Sequence, residues 1–224
     1  MKILGIDTST KILALGAYDG SKIYEYNLET GRKLSSLLAP TIQRVIRALG
    51  WRAQDIDCFA CGLGPGSFTG LRIGMALIKG IAWSQGAPVI GISTLDILAR
   101  NAKLKNGYLV PVIDAKRNLI YSGFYRVRQG VCSKVSKYML LNSEDLVKKA
   151  KSGSLFLGDA LSLHSEAIMS NNKDAVIMGE DYWYPRGRHI IDLALERLRK
   201  KKFTDAAKIR PIYLYPKDCQ VRQR

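Results

Sequence analysis

A glycine-rich stretch from Gly62 to Gly74, with the sequence GLGPGSFTGLRIG, has the composition of a phosphate-binding loop. A strand-like apolar run enters it, and a helix-like run from Phe68 to Trp83 leaves it. Backbone N–H groups and the positive end of a helix dipole meet at such a junction, where they can hold an anion. Ser67 is a suitable N-cap for the helix. Phosphate binding is therefore the first chemistry to consider.

Three known motifs fail at this stretch because their spacing is wrong. A Walker A loop ends in Gly-Lys-Ser/Thr, whereas Gly70 is followed by Leu71. A dinucleotide-binding loop and a nucleophile elbow both need glycine at position 69, which is Thr69. Gly70 and Gly74 lie one helical turn apart, and their missing side chains would let another helix approach. Because glycine within a helix costs about 0.5–1 kcal/mol relative to alanine, close packing is the favoured interpretation.

Cysteine and histidine add little further chemistry. Cys58 and Cys61 form a C-x-x-C pattern within a predicted strand. Residues three apart in a strand point to opposite faces with Cα atoms about 10 Å apart, beyond disulfide reach, so buried structural thiols are favoured. His164 and His189 are 25 residues apart, which is not the i, i+4 spacing of a helical metal site. We predict no metal site.

Each half of the chain opens with an apolar strand that ends in an aspartate, Asp7 in KILGID and Asp114 in YLVPVID. In both halves, two further strands, a helix, a strand and a helix follow. The pattern predicts an α/β protein with a duplicated β-β-β-α-β-α unit, whose lobes are residues 1–103 and 104–224, the second ending in an extended tail. Further elements are predicted in the second lobe: strands at Leu119–Arg128 and Val131–Leu141, a helix capped by Ser143, and a helix at Arg188–Arg199.

The charge of the chain is strongly basic and uneven. The net charge is +16; residues 1–100 carry 11 Lys/Arg and 7 Asp/Glu, whereas residues 101–224 carry 24 and 12. A basic second half suits a polyanion such as nucleic acid, although solubility alone would explain it. The longest apolar candidate, Gly80 to Leu95, is broken by Gln85 and Pro88, so no membrane span is predicted.

The duplicated unit resembles the architecture shared by actin, the heat-shock chaperone ATPases and the sugar kinases, which is the actin-like ATPase (ASKHA) fold. In that fold, the first hairpin of each lobe grips the nucleotide phosphates. The resemblance makes Asp7, Thr8 and Ser9 in one hairpin, and Asp114 in the other, residual phosphate or ligand positions. An equal alternative is that both aspartates close turns by accepting hydrogen bonds from local N–H groups.

Both hairpins depart from the pattern of an active ATPase. Thr8 occupies a position where active ATPases usually have glycine. Lys116 and Arg117 occupy positions where the second phosphate loop needs glycines for close backbone approach. A self-contained ATPase site is therefore not expected.

A more specific resemblance comes from four short segments and Tyr121, of which the glycine-rich phrase is the most distinctive. The segments are IDTS at 6–9, GPGSFTGLRIG at 64–74, GISTL at 91–95 and IDAKR at 113–117. Their combination resembles the TsaB (YeaZ) family, strongly to about Tyr125 and loosely beyond it.

This resemblance implies a cytoplasmic, non-catalytic partner of TsaD. TsaD carries the catalytic metal and, with TsaE and TsaC-type enzymes, makes threonylcarbamoyladenosine at the tRNA adenosine beside the anticodon. The resemblance implies no cofactor of the chain's own, and ADP or ATP shared at the TsaD interface as a candidate ligand. It also implies that two copies of the chain form a homodimer when TsaD is absent, through the face that would otherwise bind TsaD.

The implied interface with TsaD lies on the first-lobe helices at about Leu34–Leu49 and Phe68–Trp83, and it uses small residues for close approach. The predicted interface residues are Leu34, Leu37, Leu38, Thr41, Val45, Phe68, Gly70, Leu71, Gly74, Leu77 and Ile81. Gly74→Leu is then expected to block the complex while the subunit still folds.

Two other classes of function stay open. One is a nucleotide-binding or nucleotide-hydrolysing actin-like protein. The other is a direct tRNA-binding module that uses the basic second half, including the run Arg199–Lys202. A peptidase has no nucleophile–histidine constellation in this sequence to support it.

Overall fold

The computed structural model describes residues 1–215, which form two units built on separate β-sheets. Unit 1 comprises Met1–Ile97 and Pro185–Pro211, and unit 2 comprises Leu98–Tyr184 and residues 212–215. The first division falls near the predicted boundary at residue 103. The segment from Pro185 to Pro211, however, returns to unit 1 instead of belonging to the second lobe.

Unit 1 contains a five-stranded sheet in the order β3-β2-β1-β4-β5. The strands are β1 (Ile3–Asp7), β2 (Ile12–Tyr18), β3 (Ile23–Glu29), β4 (Cys58–Gly62) and β5 (Val89–Ile92). The first three are antiparallel, and β4 and β5 extend the sheet in parallel from β1. Helices α1 (Leu34–Ala48) and α2 (Phe68–Gln85) pack on one face of it, and the short α3 (Thr94–Leu98) follows β5.

Unit 2 repeats this strand order as β10-β7-β6-β11-β12, with β8 paired to β6 and to β9. Its strands are β6 (Gly107–Asp114), β7 (Ile120–Ser122), β8 (Tyr125–Arg128), β9 (Val131–Lys134), β10 (Met139–Leu141), β11 (Leu155–Leu157) and β12 (Val176–Ile177). Helices α4 (Ser143–Lys149) and α5 (Leu161–Asn171) contribute to its core. The predicted fold class is confirmed: the chain is an α/β protein with a duplicated unit.

Three local predictions in unit 2 were wrong. Each of the two long strands, predicted at 119–128 and 131–141, is divided into two short ones. The division follows from pairing, because β7 pairs with the end of β6 and β8 with its beginning. The N-cap of α4 is Asn142, whose side chain accepts a hydrogen bond of 2.8 Å from the N–H of Asp145. Ser143 is the first helical residue.

The last helix, α6 (Gly187–Arg199), covers the second face of the unit 1 sheet. Two glycines permit this, since a Cβ at Gly16 or Gly187 would overlap with the backbone where α6 crosses β2. Residues 185–211 carry nine Lys/Arg and three Asp/Glu, so this part of the predicted basic second half belongs to unit 1. Sequence order alone suggested the wrong lobe.

The two cysteines of β4 lie on opposite faces of the unit 1 sheet, as predicted. Cys61 belongs to the apolar cluster beneath α1 and α2, and Cys58 to the cluster beneath α6. Both are unbridged and buried, and burial raises the pKa of the Cys58 thiol to about 12. These are properties of structural thiols.

Residues 211–215 of the predicted tail form neither helix nor strand, and the hydroxyl of Tyr215 donates a hydrogen bond to the carbonyl of Ala115 (2.8 Å). The remainder of that tail, with Cys219, lies outside the described residues. No helix within residues 1–215 has both the length and the apolar character needed to cross a membrane.

Candidate functional site

The glycine-rich stretch lies against the turn that follows β1. Four of its glycines, spaced four residues apart, each face this turn at a point where a Cβ would overlap with it. The contacts are Gly62 with Asp7, Gly66 with Ser9, and Gly70 and Gly74 with Thr8. The spacing thus serves packing, as the sequence indicated, but the packing is against the chain's own first turn.

Hydrogen bonds hold the N-terminal end of α2 to the turn that follows β1. The hydroxyl of Thr8 donates to the carbonyl of Gly70 (2.8 Å), and the N–H of Ser67 donates to the carbonyl of Ser9 (2.7 Å). The side chain of Ser67 accepts from the N–H of Gly70 at 3.2 Å, which confirms it as the N-cap. The glycines and the N-terminal end of α2 therefore pack directly against the turn after β1.

Asp7 is fully buried at the end of β1 and accepts three hydrogen bonds. The N–H and hydroxyl of Ser9 donate to one carboxylate oxygen at 2.8 and 2.5 Å, and the hydroxyl of Thr94 donates to the other at 2.6 Å. Burial raises the pKa of Asp7, although these hydrogen bonds act in the opposite direction. This arrangement is typical of an aspartate that closes a turn, and it links the turn to α3.

The second turn, after β6, is also closed by its own aspartate. Lys116, Arg117 and Asn118 have φ angles of 64°, 52° and 59°, a left-handed conformation that is unfavourable for residues other than glycine. The N–H of Lys116 donates to Asp114 at 2.7 Å, and its ammonium group pairs with the second carboxylate oxygen. These interactions offset the strain of the turn and occupy the Asp114 carboxylate.

Two further titratable residues near this turn were not found from the sequence. Asp159 accepts a hydrogen bond from the N–H of Asp114 (3.0 Å), and burial raises the pKa of Asp159 to about 6. His164 is buried in α5, where its Nδ1 lies 2.9 Å from the hydroxyl of Ser143. No local sequence pattern signals the burial of His164.

The raised pKa of Asp159 predicts a pH-dependent cost to stability. An unfolded aspartate titrates near pH 3.9, so between about pH 4 and pH 6 the folded chain binds more protons and loses stability as pH rises. Asp159→Asn keeps an acceptor for the Asp114 N–H and removes the ionisation. We expect it to raise the free energy of unfolding by up to about 3 kcal/mol at pH 7 and by almost nothing at pH 4.

Urea denaturation of both proteins at several pH values measures this difference. Glu166→Gln, at an exposed position of α5, controls for the loss of one carboxylate. A stabilisation by Asp159→Asn that is equal at pH 4 and pH 7 would contradict the assignment.

The predicted docking face on α1 and α2 needs correction. Six of its eleven residues are buried within unit 1, because both helices turn these side chains toward the sheet or the first turn: Leu34, Leu38, Thr41, Gly70, Leu71 and Gly74. The other five are partly or largely exposed: Leu37, Val45, Phe68, Leu77 and Ile81. Gly70 and Gly74 therefore do not face a partner.

The outward face of α2 carries a second set of small and aromatic residues, which the sequence pattern did not single out. Phe68 and Trp83, near its two ends, are 42% and 79% exposed. Between them lie Arg72, Ala76 and Gly80, four residues apart, and a Cβ at Gly80 would meet nothing within 4 Å. The guanidinium carbon of Arg72 lies 3.7 Å from the centroid of the Phe68 ring. We call these five residues the outer α2 face.

Within residues 1–215, no three His, Cys, Asp or Glu side chains are grouped closely enough to hold a metal ion. The two units repeat one strand order, and the first turn of unit 1 is closed by the chain's own glycines. The repeated strand order is that of a protein with the actin-like ATPase fold.

Comparison with known proteins identifies the family. The family model described as TsaD, tRNA N6-adenosine threonylcarbamoyltransferase, matches residues 28–214. The chain is 33% identical to the tRNA threonylcarbamoyladenosine biosynthesis protein TsaB of Bacillus subtilis over 172 residues, 75% of each protein. It is 28% identical to TsaB of Haemophilus influenzae over 229 residues, covering 96% of this chain and 93% of that protein. The chain belongs to the TsaB family.

A solved structure agrees with this fold. YeaZ from Pseudomonas aeruginosa superposes with a TM-score of 0.85 and 23% identity, over 95% of this chain and 99% of that one.

Proposed function

We propose that this chain acts in tRNA threonylcarbamoyladenosine biosynthesis as a non-catalytic subunit that docks on TsaD. Family membership supports the pathway, because the similar proteins of known name are tRNA threonylcarbamoyladenosine biosynthesis proteins. The match to the TsaD family model supports a shared fold with the proposed partner.

The observation that carries the docking proposal is the outer α2 face. Trp83 is 79% exposed, and tryptophan is enriched among the residues that contribute most to binding at interfaces. Fifteen residues separate Phe68 from Trp83, which is about 22 Å along a helix. Ala76 and Gly80 between them let a partner helix approach closely, while the partly exposed Leu77 and Ile81 widen the apolar strip.

A non-catalytic role is supported by the two closed turns. The glycines before and within α2 pack against the turn at Asp7, and Lys116 donates to Asp114 in the other turn. Any ADP or ATP shared with TsaD would therefore take its phosphate contacts mainly from TsaD. We further propose that TsaE joins the complex in the cytoplasm, and that two copies of this chain associate through the outer α2 face when TsaD is absent.

Reconstitution tests this function. We expect the purified chain to co-elute with TsaD, and nucleoside analysis of tRNA to detect threonylcarbamoyladenosine only when TsaD, TsaE, a TsaC-type enzyme and this chain are all present. The same mixture without this chain is the control. Undiminished modification without it, or modification by this chain without TsaD, would contradict the proposal.

A further inference from the structure

Unit 2 carries two adjacent clefts that share the side chain of Tyr108. The first cleft is also lined by Arg126 and Arg128, and the second by Lys149 and Lys151. Neither cleft has an Asp or Glu among its lining residues. The two together form a surface, here called the Tyr108 surface, whose charged lining residues are all basic.

Strand pairing places a cation against the aromatic ring of Tyr108. Tyr108 and Arg126 are direct partners in the antiparallel pairing of β6 with β8, and the guanidinium carbon lies 5.7 Å from the Tyr108 ring centroid. Close to the second cleft along the chain, the ammonium of Lys134 lies 3.6 Å from the centroid of the Tyr138 ring. The contact between Tyr108 and Arg126 arises from the pairing of two strands, which no local sequence pattern indicates.

The segment that builds β7 to β10 is also free of negative charge. From Ala115 to Ser143 the chain contains six Lys/Arg and no Asp/Glu. A field of one sign attracts a polyanion and repels acidic neighbours, so the distribution favours a ligand with many negative charges.

We propose that the Tyr108 surface binds an unstacked, single-stranded part of tRNA. Proteins recognise such RNA by stacking bases on aromatic side chains while Arg and Lys contact the phosphates. An acidic peptide would use the cations but not the aromatic faces, so RNA accounts for both features. The inference rests on the proposed function, since it places the tRNA substrate on this subunit.

The first test compares two variants of the full chain that each lose four positive charges. The surface variant combines Arg126→Gln, Arg128→Gln, Lys149→Gln and Lys151→Gln. The comparison variant neutralises Arg199–Lys202, the rival basic run in unit 1. Fluorescence anisotropy with an unmodified tRNA transcript is measured over a range of salt concentrations.

We expect the surface variant to bind at least about tenfold more weakly than the comparison variant. Its slope of log affinity against log salt should be shallower by roughly 3, about 0.7–0.9 for each phosphate that is no longer neutralised. Equal weakening by the two variants, or greater weakening by the comparison variant, would overturn the proposal.

A second test separates stacking from charge. Tyr108→Leu should weaken tRNA binding by roughly fivefold or more with an unchanged salt slope, whereas Tyr108→Phe should bind as the unmodified chain does. Polyglutamate at equal charge should compete poorly with the tRNA. Competition by polyglutamate as strong as that by RNA would overturn the proposal in favour of an acidic protein partner. Thermal melting verifies that each variant is folded.

The failure of this inference can be told apart from the failure of the docking proposal. The surface variant should still co-elute with TsaD, and a variant that disrupts the outer α2 face should still bind tRNA. Loss of TsaD binding in the surface variant would instead assign the Tyr108 surface to the protein interface and overturn the RNA proposal.

Discussion

Replacement of Gly70 by alanine is expected to lower the free energy of unfolding by about 3 kcal/mol, because the new Cβ would overlap with the main-chain oxygen of Thr8. The same oxygen belongs to the turn that α2 closes, so relief of the overlap must move either the helix or the turn. The hydrogen bond from Thr8 to the Gly70 carbonyl would be strained at the same time.

Gly80→Ala is the matched control for this prediction, since it makes the same substitution in the same helix. A Cβ at Gly80 meets nothing, so the exchange should stabilise the chain by about 0.5–1 kcal/mol through helix propensity alone. Urea denaturation of the two variants gives both values. Equal effects at Gly70 and Gly80 would show that the Gly70 face is not packed against Thr8.

Gly70 and Gly80 also show which feature of α2 the sequence did not determine. The pattern correctly indicated a helix with small residues on one face and a role for them in close packing. It did not indicate which face turns inward, because Ala76 and Gly80 repeat the four-residue spacing of Gly70 and Gly74 on the other side. Only the position of Thr8 decides between the two faces, and that position comes from the sheet.

The fold was more predictable than the site because strand order follows from repeated local patterns. Both strands that end in aspartate and the opposite orientation of Cys58 and Cys61 were predicted correctly. The return of α6 to unit 1 was not predictable, because it depends on contacts between Gly187 and a strand that lies far away in the sequence. The contact between Tyr108 and Arg126 was likewise not predictable, because it depends on the pairing of β6 with β8.

The second large effect is expected at the docking face. Gly80→Leu should weaken binding to TsaD by at least about 100-fold, roughly 2.7 kcal/mol, because a bulky side chain would separate two helices that the proposal places in contact. The subunit itself should fold normally, since the new side chain points away from its core. Trp83→Ser should have a similar effect by removing a large exposed anchor. By contrast, Gly74→Leu should unfold unit 1, because a side chain at this position would overlap with Thr8. The sequence alone predicted a folded subunit that fails to bind TsaD.

Binding of TsaD to Gly80→Leu tests the central claim most directly. Its control is Gly179→Leu in unit 2, where a Cβ also meets nothing within 4 Å. Size-exclusion chromatography with purified TsaD, with melting temperatures of all three proteins, provides the measurement. We predict co-elution for the unmodified chain and for Gly179→Leu, and a folded but separate peak for Gly80→Leu. Co-elution of folded Gly80→Leu with TsaD at unchanged affinity would contradict a docking role for the outer α2 face.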